Sequence, residues 1–252
     1  MNCESVIKHI CDWIADYISQ TNGKINTLVV GVSGGVDSAV VSELCAKTGI
    51  NTIVLTLPIK SSDLSLSTNH CSHLTKKYSN VTHFEIDFTD MFETFKNKCI
   101  EKGFKSELGL ANTKARIRMM TLYQVASSNS GLVVGTGNKV EDFGVGVGFF
   151  TKYGDGGVDL SPIADLTKSE VRNLAESMDI DTNIIKAPPT DGLWEDGRND
   201  EDQLGLTYEE IEEAMSNLKS TNSKRYSDIR NMNLHKMTPI PVCKIDDEIK
   251  SN

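Results

Sequence analysis

Apolar positions fall into two periods along this chain, and their alternation predicts the order of its elements. Residues 4 to 19 set Ile7, Ile10, Ile14, Tyr17 and Ile18 at helical spacing, so an amphipathic helix leads. Asn22-Gly23 breaks it, and the uninterrupted run Leu28-Val29-Val30 then reads as a buried strand ending at Gly31. A helix follows from Val36 to near Gly49, a strand over Thr52 to Pro58, a helix over Leu64 to Tyr78 and a strand over Val81 to Phe88. Met91 to Ser128 is helical with breaks around Gly103 and at Gly109, and Leu132-Val133-Val134 is a further strand closed by Gly135-Thr136-Gly137. Ser161 to Leu166 reads as a short strand, after which Thr167-x-x-Glu170 and Thr207-x-x-Glu210 are capping boxes opening two more helices.

Strands that are apolar throughout and alternate with helices call for a parallel sheet covered on both sides. The expectation is an α/β fold, a doubly wound parallel sheet with helices on both faces, in one domain over residues 1–252. Two stretches lack periodicity. Asp142 to Asp159 carries six glycines among Phe143, Phe149, Phe150 and Tyr153, a loop of the length that is usually functional or mobile. Residues 186 to 206 join Pro188-Pro189 to an acidic run, read as a lid or a solvated connector. The tail adds Lys224-Arg225-Tyr226, His235-Lys236 and Pro239-x-Pro241.

Composition narrows the partners. A net charge of -9 excludes a general nucleic-acid binder, so a nucleotide site must be a local basic pocket. The six cysteines have no metal-binding spacing and read as reduced thiols. No apolar run is long enough for a membrane span and the N-terminus is no signal peptide, which makes cytoplasmic the expected location.

The candidate chemistry centres on Gly31-Val32-Ser33-Gly34-Gly35-Val36-Asp37-Ser38, a turn between strand and helix. Its glycines admit close approach of a ligand, its serines supply hydroxyls, and the N–H groups opening the helix favour an anion. Neither the G-x-x-x-x-G-K-[ST] loop nor the dinucleotide G-x-G-x-x-G is present. Asp37 beside bound phosphates predicts a divalent cation, since the carboxylate would otherwise repel them. Downstream, Arg116 and Arg118 lie two residues apart on a helix and point to nearly opposite faces, so one of them can readily face a shared site.

The string Ser33-Gly34-Gly35-Val36-Asp37-Ser38 resembles the S-G-G-x-D-S loop of the ATP pyrophosphatase superfamily, which adenylates a substrate and releases pyrophosphate. With Thr113 to Met119, Gly135 to Glu141, the run Thr151-Lys152-Tyr153-Gly154-Asp155-Gly156-Gly157, and His235-Lys236, the chain resembles the NAD synthetase family over nearly its whole length. The resemblance implies a Rossmann-like adenine nucleotide alpha hydrolase fold, a homodimer, and amidation of deamido-NAD by ammonia, with ATP as co-substrate and Mg²⁺ as cofactor. It assigns Gly31, Val32, Ser33, Gly34, Gly35, Val36, Asp37, Ser38, Thr136, Lys168 and Thr190 to ATP, the last with Pro189 as the other candidate position. It assigns Asp37 and Glu141 to the metal, and Asp37, Glu141 and Lys168 to catalysis. Arg116, Lys152, Asp159, His235 and Lys236 are assigned to deamido-NAD. Val36 stands where many members have a polar residue, and Gly144 to Gly148 looks longer than in some relatives. The rivals are a tRNA sulfur transferase on the same loop, disfavoured by the acidic charge and the absent C-x-x-C, and a sensor that binds nucleotide without chemistry. Some thirty residues precede the loop, too few for a glutaminase domain, so free ammonia is the expected nitrogen source.

Overall fold

The computed structural model describes residues 1–60, 63–142, 150–189, 192–194, 200–217 and 219–250. The elements run α1 (Cys3–Ser19), β1 (Thr27–Gly31), α2 (Val36–Lys47), β2 (Asn51–Thr56), α3 (Ser65–Lys77), β3 (Val81–Glu85), α4 (Thr89–Glu101) and α5 (Glu107–Ser128). They continue with β4 (Gly131–Val133), α6 (Lys168–Ser177), α7 (Thr182–Lys186), α8 (Asp200–Leu204), α9 (Tyr208–Ser216), α10 (Ser223–Met237) and α11 (Asp247–Lys250). The strands form a sheet of order β3-β2-β1-β4, parallel throughout.

Alternation along β1 sends Leu28 and Val30 to one face and Val29 to the other. Leu28 and Val30 pack with Ile14 of α1, Val40 and Leu44 of α2, and Leu174 of α6. Val29 joins Ile53, Leu55, Val133 and the α5 residues Met119 and Leu122 on the opposite side. Helices therefore cover both faces, and the α/β doubly wound expectation is borne out. The order reverses between β1 and β4, which opens a crevice at their carboxyl ends where such sheets take ligands. A separate apolar cluster joins Val140 to Leu204, Tyr208, Ile211 and Ile229, so the C-terminal helices fold back beside the end of β4.

Several elements differ from the expectation. Ser161 to Leu166 forms turns, and strand pairing there is one parallel bridge from Val134 to Leu160, because Pro162 follows at once and Ile163 is drawn into the α6 face of the core. Gly109 does not break the helix: Ser106 caps α5 by accepting from Gly109 N, and the glycine sits in its first turn. The stretch 186–206 contains the end of α7 and the short α8. The tail from Ser223 is the 15-residue α10, whose inner contacts are Tyr226 and Ile229, too sparse an apolar stripe to read as a helix from pattern. Phe143, Phe149 and the glycine run 144–148 lie outside the described residues. No helix among the described residues is long and apolar enough to cross a membrane.

One buried polar pair makes the sheet's α3 side sensitive to acid. His70 is 5% exposed, its Nε2 3.0 Å from Ser42 Oγ, and burial pulls its pKa down to about 4 from the usual 6.5. Between those values the unfolded chain holds a proton that the folded chain does not, so stability is intact above pH 6.5 and is lost as pH falls toward 4. The loss attributable to this group is about 3 kcal/mol. His70→Gln should flatten the decline of urea midpoint across that window relative to the parent; equal slopes would remove His70 as the cause.

Candidate active site

The turn after β1 is built to leave N–H groups open. Gly34 adopts φ +94°, a region that disfavours any side chain, and its α-carbon faces Leu66 and Ser67 at the start of α3. Gly35 precedes α2 without a side-chain cap, so the first amides of that helix lack a side-chain partner from the capping position. Ser38 Oγ accepts from Ser33 N at 3.1 Å and donates to Gly35 O at 3.0 Å, which locks the turn from inside. Ser33 is exposed at the mouth, its Oγ 3.1 Å from Ser38 Oγ. Gly31 and Val32 lead out of β1, and Val36 is packed into the core. The apolar side chain at position 36 is thus a core contact.

Asp37, Glu141 and Lys168 come together although they are far apart in sequence. Lys168 Nζ donates to Asp37 Oδ2 at 2.5 Å and to Glu141 Oε1 at 2.9 Å. The side chains are 5% (Lys168), 15% (Asp37) and 20% (Glu141) exposed. Each comes from a separate feature: Asp37 from the first turn of α2, Glu141 from the turn after β4, Lys168 from the first position of α6 behind the Thr167–Glu170 capping box. Burial opposes the charge on Lys168, yet the two carboxylates hold its pKa above the ordinary lysine value. Burial and the neighbouring Glu141 raise Asp37, against the pull of Lys168. Glu141 resists the same burial and stays below its usual value through Lys168, Tyr208 and Asn138. Two buried carboxylates facing one point are a donor set that suits Mg²⁺ when phosphate oxygens complete the shell. On that chemistry the pair fits a metal that binds together with phosphate.

Two further residues of this cluster escape a reading by motif alone. Asn138, fully buried, donates from Nδ2 to Asp37 Oδ1 at 3.1 Å and accepts at Oδ1 from the amides of Val140 and Glu141. It therefore positions both carboxylates at once. Its signal was an asparagine three residues before an acidic one in a turn. Tyr208 donates its hydroxyl to Glu141 Oε1 and sets its ring 4.8 Å below Lys168 Nζ. In the sequence it reads only as the first apolar position of a capped helix. Thr136 lies half-buried between Gly135 and Gly137 at the end of β4, in the turn that leads to Asn138. Thr190 lies outside the described residues.

The second group collects around α5 and residues 150–159. Arg116 is exposed, and its Nε and Nη2 each stand 3.4 Å from Lys152 O. Lys152 donates to His235 O and Lys236 donates to Phe150 O, both at 3.0 Å, so the end of α10 and this segment hold each other. Arg116, Lys152, His235 and Lys236 thus share one locality. Gly156 is required there, since a side chain would meet the Phe150 ring at 2.2 Å. Asp159 stands apart: Oδ1 accepts from the Tyr123 hydroxyl at 3.0 Å and Oδ2 from Val133 N at 2.8 Å, which ties it to the edge of β4. Beside it Met119, Met120, Tyr123, Tyr153 and Val158 line an open cleft of about 460 Å³. Val158 also packs against Gly135, so the cleft wall touches the same turn that leads to Asn138 and Glu141. Arg118, by contrast, donates to Leu57 O at 3.1 Å and is part-buried. Lys114, from the same helix, is buried and donates to Leu193 O at 2.8 Å, a tie from α5 to residues 192–194 that the pattern did not single out.

The chain is similar to several known proteins. An NH(3)-dependent NAD(+) synthetase of Mesoplasma florum is 40% identical over 82% of this chain and 83% of its own length. One from Archaeoglobus fulgidus is 38% identical over 85% of this chain and 84% of its own. Among solved structures, an NMN synthetase from Francisella tularensis superposes with a TM-score of 0.86 at 31% identity, covering 97% of this chain and 100% of that one. The family model described as NAD synthase matches residues 6–251, and the chain belongs to that family.

Proposed function

We propose that this chain catalyses the ATP-dependent amidation of the nicotinate carboxylate of deamido-NAD with ammonia, giving NAD, AMP and pyrophosphate, within a single domain over residues 1–252. The observation that carries this reading is the turn Gly135–Glu141. It borders the phosphate loop through the Asn138–Asp37 bond and the substrate-sized cleft through Gly135 and Val158. A nucleotide α-phosphate and an acceptor carboxylate can therefore meet at one strand end.

The chemistry asks little covalently of the protein. A carboxylate repels a nucleophile and lacks a leaving group; transfer of the adenylyl group to it removes both obstacles, and ammonia then displaces AMP. The α2 amides with the exposed Ser33 hydroxyl hold the polyphosphate, and Ser38 locks the turn that presents them. Asp37 and Glu141 would hold a magnesium ion, which would supply positive charge to the phosphates and the departing pyrophosphate. Arg116 and Lys152 suit the phosphates of the dinucleotide, and Lys236 adds a third positive charge nearby. No nucleophilic side chain is needed. The cysteines agree with this: burial pushes the Cys71 thiol up to about 12 and raises Cys45 as well, so both are inert. A cytoplasmic homodimer is the accompanying assembly.

A second reading follows from the likeness to the Francisella NMN synthetase. The acceptor would then be nicotinate mononucleotide, activated by the same groups. Purified protein given ATP, Mg²⁺ and ammonium with either acceptor separates the two: faster NAD formation from deamido-NAD supports the first, faster NMN formation the second, and pyrophosphate release with neither rejects both. With glutamine in place of ammonium, turnover should fall to background. At fixed total ammonium the rate should rise with pH, because only the deprotonated form attacks.

Four substitutions test the residue roles. Asp37→Asn or Glu141→Gln should lower pyrophosphate release by about two orders of magnitude through lost charge neutralisation; near-parental rates in both would remove the metal assignment. Arg116→Ala should raise the KM for the dinucleotide more than that for ATP. Arg118→Ala should instead cost about 1 kcal/mol in denaturant unfolding, the worth of its bond to Leu57 O. The reverse order in titrations would exclude this reading of α5.

A further inference from the structure

The point between Asp37 and Glu141 already holds a cation, and it is covalently part of the chain. Lys168 Nζ lies 2.5 Å from one carboxylate and 2.9 Å from the other, and the Tyr208 ring closes it from a third side at 4.8 Å. A divalent ion bound to both carboxylates would stand against this ammonium, and two positive charges at such range in a poorly solvated site repel strongly. The protein also offers the metal little else. Among the described residues no group of three or more histidine, cysteine or acidic side chains could hold a metal ion. The missing ligands must come from outside, and phosphate oxygens at the neighbouring α2 amides are what both cations would seek. The lysine can answer, because its four-carbon stem is flexible and its ammonium accepts any oxygen partner. It also occupies the first position of α6, where the helix field disfavours a cation, so its hold depends on the two carboxylates.

We propose that Lys168 is the resident counter-ion of the Asp37–Glu141 pair and exchanges with a divalent cation when nucleotide phosphates arrive, its ammonium passing from the carboxylates to a phosphate oxygen. This rests on reading that pair as the metal ligands. Metal and nucleotide then bind with positive cooperativity, and neither carboxylate is left without a cation in either state.

Binding of Mn²⁺, followed by loss of its free electron paramagnetic resonance signal, tests this without turnover. The nucleotide-free parent should show little Asp37-dependent Mn²⁺ binding. Lys168→Met, checked for folding by circular dichroism, should bind Mn²⁺ at least about tenfold more tightly, since two buried carboxylates then lack a cation. With α,β-methylene ATP the parent should take up Mn²⁺ tightly, and Asp37→Asn should lose that uptake. Unchanged Mn²⁺ affinity in folded Lys168→Met overturns the exchange while leaving the metal reading standing. Nucleotide-dependent uptake that survives Asp37→Asn defeats the metal reading itself. Should Lys168→Met fail to fold, the parent decides: stoichiometric, Asp37-dependent Mn²⁺ binding without nucleotide overturns the proposal, and its absence supports it.

Discussion

Two carboxylates largely removed from water share a single ammonium, and the arrangement of Asp37, Lys168 and Glu141 is the constraint on which the site depends. Burying ions is costly unless each finds a partner and its remaining hydrogen-bond sites are filled. Here Asn138 serves Asp37 and Tyr208 serves Glu141. The charges are contributed from the α2 turn, the β4 turn and α6, and the tyrosine from α9. Closing the cluster therefore fixes where the C-terminal helices sit relative to the sheet. The apolar contacts of Val140 with Tyr208 and Ile211 act in the same direction, since they bring the residue beside Glu141 under the same helix. Packing sets the approach of the helices, and the ion cluster sets their register.

That dependence explains what could be read from the sequence. The strands and helices of the first half were legible because each carries its own periodicity, and Leu28 to Val30 needs no partner to announce a buried strand. The phosphate loop was legible because conformation and chemistry coincide there in adjacent residues. Asn138 and Tyr208 were not, because their roles exist only across separations of 101 and 67 residues. No local pattern distinguishes an asparagine that merely shapes a turn from one that also reaches an aspartate on another element. Helix α10 was missed for a related reason. Its apolar contact is confined to a few residues, and its end is held by carbonyl contacts from Lys152 and Lys236 that composition cannot reveal.

Arg116 and Arg118 illustrate how far helical geometry alone can go. Their separation on α5 sorts one toward residues 150–153 and the other toward the end of β2, as the two different carbonyl partners show. Asp159 shows its limit. Grouped by motif with the cationic residues, it accepts from Tyr123 and from the amide of Val133, where it anchors the edge of β4. Asp159 stays exposed beside the cleft that Tyr123 and Val158 line, and each of its oxygens can accept a further hydrogen bond.

The two cationic localities differ in what holds them, and the difference governs how an anion can be received. Lys152 rests on a backbone carbonyl, a neutral acceptor that a phosphate or carboxylate can displace with a gain in electrostatic energy; Lys236 also donates to a carbonyl, with the Asp155 carboxylate close enough to favour its charge. Lys168 rests on two carboxylates, so moving it toward an anion exposes charges of the same sign as that anion. An acidic chain of net charge -9 thus still presents local lysine and arginine charge beside α5, tempered at Lys236 by Asp155. Beside the turn after β1 the carboxylates of Asp37 and Glu141, sharing one ammonium, repel an anion unless further positive charge meets them. Which acceptors the lysines occupy beforehand thus sets how much further positive charge an anion needs at each place.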